Sequence, residues 1–281
     1  MADSGIILLP TPEHLSHDGF WMRIPSGGQV RVVGEVPNET VDRLTAAFVP
    51  SLPGDWTVTR APRADAFVWV DAEARDLDPE SYRIKIAQTG IQIEAGGGAG
   101  AFYAAMTLRQ LARQRPGYLP VCRIEDTPDF PVRGATMDVS RDKVPQMETL
   151  FAWVDRLAEW KVNQIYLYTE HTFAYAGHET VWRDADPMTP AQVLELDAYC
   201  KDRFIELVPN QNSFGHFRRF LDHPEYRHLA EAPNGYALSR GRRSPHPYSL
   251  HPGDSGSLEL LGDLYDQLLP HFTSQRFSAV V

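Results

Sequence analysis

The chain has 281 residues, enough for one or two domains with a sizeable buried core. Hydrophobic residues make up 43% and charged residues 23%, a globular balance rather than a disordered or membrane-spanning one. Acidic side chains number 37 and basic ones 27, a net charge of −10, which argues against a nucleic-acid partner because phosphates demand a basic surface. The two cysteines, Cys122 and Cys200, fall in an apparent strand and an apparent helix and read as buried free thiols. The first fifteen residues lack a basic start and carry only a short apolar run, so no secretory signal is expected. No stretch approaches the ~20 apolar residues of a membrane span. A cytoplasmic location is the expectation.

Residues 1–126 are expected to form a small α+β domain. Alternating or β-branched runs predict strands over 5–9, 29–33, 56–59, 66–70, 82–87 and 91–94. They are expected to follow one another as a meander. A helix is predicted over 40–48. A second, over 102–114, places Phe102, Ala105, Met106, Leu108 and Leu111 on one face. Arg115-Pro116-Gly117 terminates it. Between the last strand and this helix lies Gly96-Gly97-Gly98-Ala99-Gly100-Ala101. It carries the Gly-x-Gly-x-x-Ala spacing of dinucleotide sites. No doubly wound series of βα units follows Asp126, so the run reads as a plain strand-to-helix joint, and no cofactor is expected.

Thr127-Pro128-Asp129-Phe130-Pro131 reads as an extended boundary, with a second domain over 127–281. Its pattern alternates: strand 132–139, helix 147–160, strand 164–168, helix 190–204, strand 205–208, helix 258–269 and strand 277–281. Leu150, Val154, Leu157 and Ala158 point the first helix inward, and Thr189 before Pro190 caps the second. Strands alternating with helices of this length mean parallel βα units. A complete (β/α)8 TIM barrel needs eight such units and ~250 residues. The expected fold class is therefore α/β: a small α+β domain, then a partial (β/α)8 TIM barrel with about four of eight strands, stopping at strand 4. A long proline-bearing loop, 209–256, follows the third strand, with a short helix expected over 214–221.

Such barrels carry their chemistry at the C-terminal strand ends. There the chain offers Asp138, Ser140 and Arg141, then Thr169, Glu170 and His171, then Asn210, Gln211, Asn212 and His216. Polar groups converging on one rim suit a polyhydroxylated ligand. Tyr166, Tyr168, Phe173, Tyr175, Trp182 and Phe214 offer flat faces for sugar rings, although core and rim packing is the ordinary explanation of each. Glu170-His171 and His178-Glu179 share one loop but show no His-Glu-x-x-His spacing, so no metal site is expected. Ser140 and Ser213 lack a Gly-x-Ser-x-Gly context for a nucleophile.

At Arg133 to Arg141, RGATMDVSR, the chain resembles the β-N-acetylhexosaminidases of glycoside hydrolase family 20. IQIEAGGGAGAFYAAMTLRQLA is similar to the strand, turn and helix of that family's α/β domain ahead of the barrel. YLYTEHTFAYAGHETVW resembles its second-strand loop, and IELVPNQNSFGH its third-strand motif ending in Gly-His. The resemblance implies that Arg133 holds sugar hydroxyls at carbons 3 and 4. It implies that Glu170 orients His216, which in turn supports the general acid. Asp138, His171 and Asn210 join the expected sugar contacts. The usual Glu-x-Asp-x-Pro-Gly-His reads Asn210-Gln211-Asn212-Ser213-Phe214-Gly215-His216 here, so two carboxylates have become amides.

The implied activity is removal of terminal, non-reducing N-acetylglucosamine or N-acetylgalactosamine. In the family an Asp-Glu pair follows the fourth strand. The glutamate protonates the leaving oxygen, and the aspartate steers the substrate's own acetamido oxygen onto carbon 1, with retention. That pair is not in this sequence, so the 281 residues alone are expected to be inactive. Open first and fourth strands suggest self-association. The alternative reading is a non-catalytic carbohydrate-binding or interaction module.

Overall fold

A computed structural model of the chain describes residues 5–34, 36–61, 66–141 and 143–279. It divides into two compact units: residues up to Arg133 with Asp155–Lys161, and Gly134–Val154 with Val162–Val281. The helix over Met147–Glu159 runs through this division.

The first unit holds β1 (His14–Arg23), β2 (Gly28–Val33), α1 (Asn38–Phe48), β3 (Trp56–Thr59), β4 (Val68–Asp71), β5 (Tyr82–Ala87), β6 (Gly90–Ala95), α2 (Gly98–Gln114) and β7 (Tyr118–Asp126). The strands form one sheet in the order β1-β7-β5-β6-β4-β2-β3. This corrects the expected meander. β2, β3, β4 and β6 run parallel, and β5–β6 is a hairpin. Parallel neighbours need crossovers, which α1 and the long connections provide. Tyr82, Ile84, Ile86, Ile91 and Ile93 alternate onto the buried face. α2 covers that unit's core with Phe102, Tyr103, Met106, Leu108 and Leu111.

One strand expectation fails and one strand was missed, each for a local reason. Residues 5–9 form no strand; their backbone is gripped by side chains of α2. Ile7 N–H and Leu9 N–H donate to Gln114 Oε1 and Gln110 Oε1, whose amide nitrogens donate back to Ile7 O and Leu9 O. β1 escapes a sequence reading because Asp18-Gly19 interrupts its alternation. Its register against β7 shifts between His17 and Trp21.

The glycine run before α2 is a packing device. A Cβ on Gly96 would stand 2.0 Å from Asp78 O, and one on Gly100 2.4 Å from Ser81 O. Only glycine lets the 78–81 backbone lie this close to the start of the helix.

The second unit holds β8 (Gly134–Asp138), α3 (Met147–Glu159, shared with the first), β9 (Gln164–Tyr168), α4 (Glu179–Trp182), α5 (Pro190–Lys201), β10 (Glu206–Pro209), α6 (Arg218–Leu221), β11 (Tyr236–Ala237), β12 (Arg243–Ser244) and α7 (Ser255–Leu268). β8, β9 and β10 form a parallel sheet with β9 central. At the expected fourth strand, Ser278 makes a parallel bridge to Asn210; Val280 and Val281 lie outside the described residues. Thr189 and Gln192 close a capping box at the start of α5, with Pro190 in its first turn. Asp254 caps α7 by accepting from Gly256 N–H. Among the described residues no helix is long and apolar enough to cross a membrane.

Candidate functional site

The second unit gathers polar side chains where β8, β9 and β10 end. Residues past β8 turn around Asp138. Its Oδ1 accepts Ser140 N–H at 2.9 Å and Arg141 N–H at 3.1 Å, and its Oδ2 takes the Arg141 Nε–H. Burial alone would raise the Asp138 carboxyl, but these donors outweigh it and hold it below the usual carboxylate range. Arg141 is thereby aimed across the face of Tyr168, 5.0 Å from the ring centroid, with its side chain 65% exposed.

The loop after β9 is pinned from below. Ser140 Oγ accepts Glu170 N–H at 2.7 Å and pairs with Thr172 Oγ1 at 2.7 Å. Glu170 then faces the rim. Its Oε1 accepts the Tyr168 hydroxyl at 2.9 Å and stands 3.6 Å from His216 Nδ1. Burial pushes the Tyr168 phenol up to about 12, so it remains a donor at neutral pH.

The loop after β10 supplies the floor and one wall. Asn212 Nδ2 donates to the Tyr168 hydroxyl at 2.9 Å, while its buried Oδ1 has no hydrogen-bond partner among the described residues. Gln211 is fully buried; its amide donates to Glu170 O, and its Oε1 accepts the Tyr175 hydroxyl at 2.6 Å. His216 adopts φ 60°, a left-handed backbone uncommon outside glycine, and such conformations concentrate at functional sites. Its ring packs against Tyr248 at 5.0 Å between centroids and edge-on to Tyr168 at 6.4 Å.

The structure brings Asp138, Arg141, Tyr168, Glu170, Asn212 and His216 together. It gives three expected sugar contacts other work. Arg133 precedes β8, whereas Asp138 closes that strand roughly 16 Å further on. Its guanidinium is spread over Glu80 Oε2, the Tyr103 hydroxyl, Lys161 O and Phe130 O. The arginine at the C-terminal strand end is Arg141. Asn210 spends its amide on backbone: Oδ1 accepts Thr169 N–H at 3.1 Å, and Nδ2 donates to Ser278 O at 2.8 Å. His171 is buried, its Nδ1 has no partner among the described residues, and burial drives the imidazole down to about 4. Of the proposed sugar-stacking rings, Phe173 and Tyr175 are core residues. Tyr248 and Tyr236 add two rings from the long loop, where no periodicity marks them in the sequence. Among the described residues no group of three or more His, Cys, Asp or Glu side chains could hold a metal ion.

Residues 5–127 match the family description "Glycosyl hydrolase family 20, domain 2". The resemblance is to family 20. A β-hexosaminidase of Akkermansia muciniphila is 29% identical over 167 residues, covering 52% of this chain and 34% of that protein. The N,N'-diacetylchitobiase of Vibrio harveyi is 35% identical over 172 residues, covering 59% of this chain and 18% of that protein. The chain therefore spans about a third or less of the length of these relatives. Its fold matches a family 20 exo-β-N-acetylglucosaminidase of Vibrio harveyi, solved in complex with N-acetylglucosamine, with a TM-score of 0.78 at 18% identity. That match covers 96% of this chain and 46% of the other.

Proposed function

We propose that the rim formed by Asp138, Arg141, Tyr168, Glu170 and His216 is part of the sugar pocket of a β-N-acetylhexosaminidase. The substrate is a glycan ending in non-reducing N-acetylglucosamine or N-acetylgalactosamine. The three parallel strands and the bridge at Ser278 are read as the opening part of a (β/α)8 barrel. One observation carries this reading: Glu170 and His216, distant in sequence, stand 3.6 Å apart, in reach of the ring over which Arg141 lies.

Each residue has a task that its geometry suits. The Arg141 fork, steadied by Asp138, presents donors to two adjacent hydroxyls. Glu170 orients His216, and the Tyr168 hydroxyl holds Glu170 in place. Substrate-assisted hydrolysis with retention needs two further groups, a proton donor at the leaving oxygen and a carboxylate aligning the acetamide. Among the described residues the rim carboxylates are Asp138 and Glu170, each already engaged as above. This engagement favours a second reading for the 281 residues by themselves, that of a sugar-binding unit without turnover.

Equilibrium binding of N-acetylglucosamine tests the proposal. Removing charged hydrogen bonds costs ~1.5–3 kcal/mol, so Arg141→Ala is expected to weaken binding by about tenfold or more. Arg133→Ala is expected to lower stability with little change in the affinity of the folded fraction. An unchanged affinity in Arg141→Ala would overturn the assignment. Hydrolysis of an aryl N-acetylglucosaminide separates the two readings: binding without turnover supports the second, and turnover above the uncatalysed rate excludes it.

A further inference from the structure

The loop after β10 contains an unusual stretch. From Ala232 to Gly253 the sequence has no aspartate or glutamate, although the chain has 37 among 281 residues. The same stretch carries Arg240, Arg242, Arg243, His246 and His251. All three arginines are exposed, and among the described residues none has an ion-pair partner. Asp222, an acid of the same loop, is already shared by Arg218 and His246. A solvated charged face is the ordinary explanation of exposed arginines. It does not account for three like charges on one turn of an acidic protein with no ion pair among the described residues, an arrangement that costs stability.

The turn is also held in shape. Tyr236 pairs with Ser244 and Ala237 with Arg243, making β11–β12 a small hairpin that carries the arginines. Gly235, at φ 83°, lies so close to the returning strand that a Cβ would meet Ser244 O at 2.0 Å. Arg240 adopts φ 60° within the turn. The loop is fastened to the site by Phe217 N–H donating to Tyr248 O at 3.0 Å and Leu250 N–H donating to Phe214 O at 2.8 Å.

From the hairpin an aromatic series leads back to the rim. Tyr236 packs on Tyr248 at 6.1 Å, Tyr248 on His216 at 5.0 Å, and His216 faces Tyr168 at 6.4 Å. Flat rings in sequence suit successive sugar faces, and positive charge at the far end suits an anion.

We propose that the β11–β12 hairpin is an extended subsite for glycans bearing an anionic group, a sulfate ester or a carboxylate, on the sugar next to the terminal N-acetylhexosamine. The aromatic series guides the neutral rings, and Arg240, Arg242 and Arg243 select the charge. This rests on the sugar-pocket reading above and adds a substrate class to it.

The test compares the affinity of the 281-residue chain for four probes at low and high salt. They are N,N'-diacetylchitobiose, its 6-sulfated form, a disaccharide with a uronate next to terminal N-acetylglucosamine, and a sulfated disaccharide lacking N-acetylhexosamine. Exposed charge pairs are individually weak, so three together predict an anionic-to-neutral affinity ratio on the order of tenfold at low salt. The ratio should fall toward one above ~0.5 M salt, where screening shortens to a few ångströms. It should fall likewise in the Arg240→Ala/Arg242→Ala/Arg243→Ala variant, with circular dichroism confirming its fold. A ratio near one in the unaltered protein overturns the subsite while leaving the sugar pocket standing. Whether the sulfate or the uronate shows the larger ratio identifies the source of the charge. Arginine-dependent binding of a sulfated disaccharide lacking N-acetylhexosamine, with no binding of the neutral probe, keeps the anion site and overturns the pocket. Absence of binding by every probe overturns both.

Discussion

His171 shows what one buried side chain does to this molecule. Burial disfavours its charged form, and nearby Arg219 adds to the effect, so the imidazole titrates at about 4 rather than 6.5. The unfolded chain takes up this proton first as pH falls, so the unfolded state binds more protons between those values and stability rises with pH there. The folded state is free of this penalty above ~6.5 and loses up to ~3 kcal/mol as the pH drops toward 4. Urea denaturation from pH 7 to 4 should show a shallower loss for His171→Gln than for the unaltered protein, by about that amount. Asp138 is shifted in the same direction for a different reason: hydrogen-bond donors hold its carboxyl low against burial, so it stabilises the fold above its ordinary range, a contribution lost on further acidification. From sequence His171 and Asp138 look alike, two polar residues after two strands. Their fates differ because one ring turns under the rim, while a short turn wraps backbone donors around the other.

At the level of elements, the first unit is tied by a buried charge cluster. Lys161, just past α3, donates to Asp126 Oδ2 at 2.6 Å and to the Tyr82 hydroxyl at 2.7 Å, and that hydroxyl donates to Asp126. Removing one partner leaves a buried charge, so Lys161→Met should cost ~3 kcal/mol or more. Adding Asp126→Asn should recover part of the loss, which a double-mutant cycle in urea measures. The glycines make a matched pair of expectations. Gly100→Ala drives a methyl into Ser81 O and should lower the melting temperature. Gly262→Ala, in an exposed position of α7 with nothing within 4 Å, should raise it by a gain of ~0.5–1 kcal/mol. The strongly periodic elements were legible: α2, α3, β9 and β10 lie close to their expected positions, and α5, which lacks a clear apolar stripe, was marked by its Thr189-Pro190 start. β1 was not, because a bulge breaks its alternation. The 5–9 segment imitates a strand while bonding to glutamine side chains, a contact sequence spacing does not report.

For the whole molecule, the order of parallel units and the position of the rim were readable because both follow from chain connectivity. Which rim residues face a ligand was less so. Arg133 and Asn210 look as suited to a sugar as Arg141 does, yet the first two are consumed by internal acceptors and donors. Sequence cannot tell a spent donor from a free one, since that depends on partners far away in the chain. The proposed role of the Arg141, Tyr168, Glu170 and His216 rim is to receive a saccharide. A crystal structure of the chain soaked with N-acetylglucosamine tests it most directly. The sugar is expected with two adjacent hydroxyls within hydrogen-bond reach of Arg141 and its ring beside Tyr168 and His216. A sugar bound elsewhere, with this rim empty, would contradict the account.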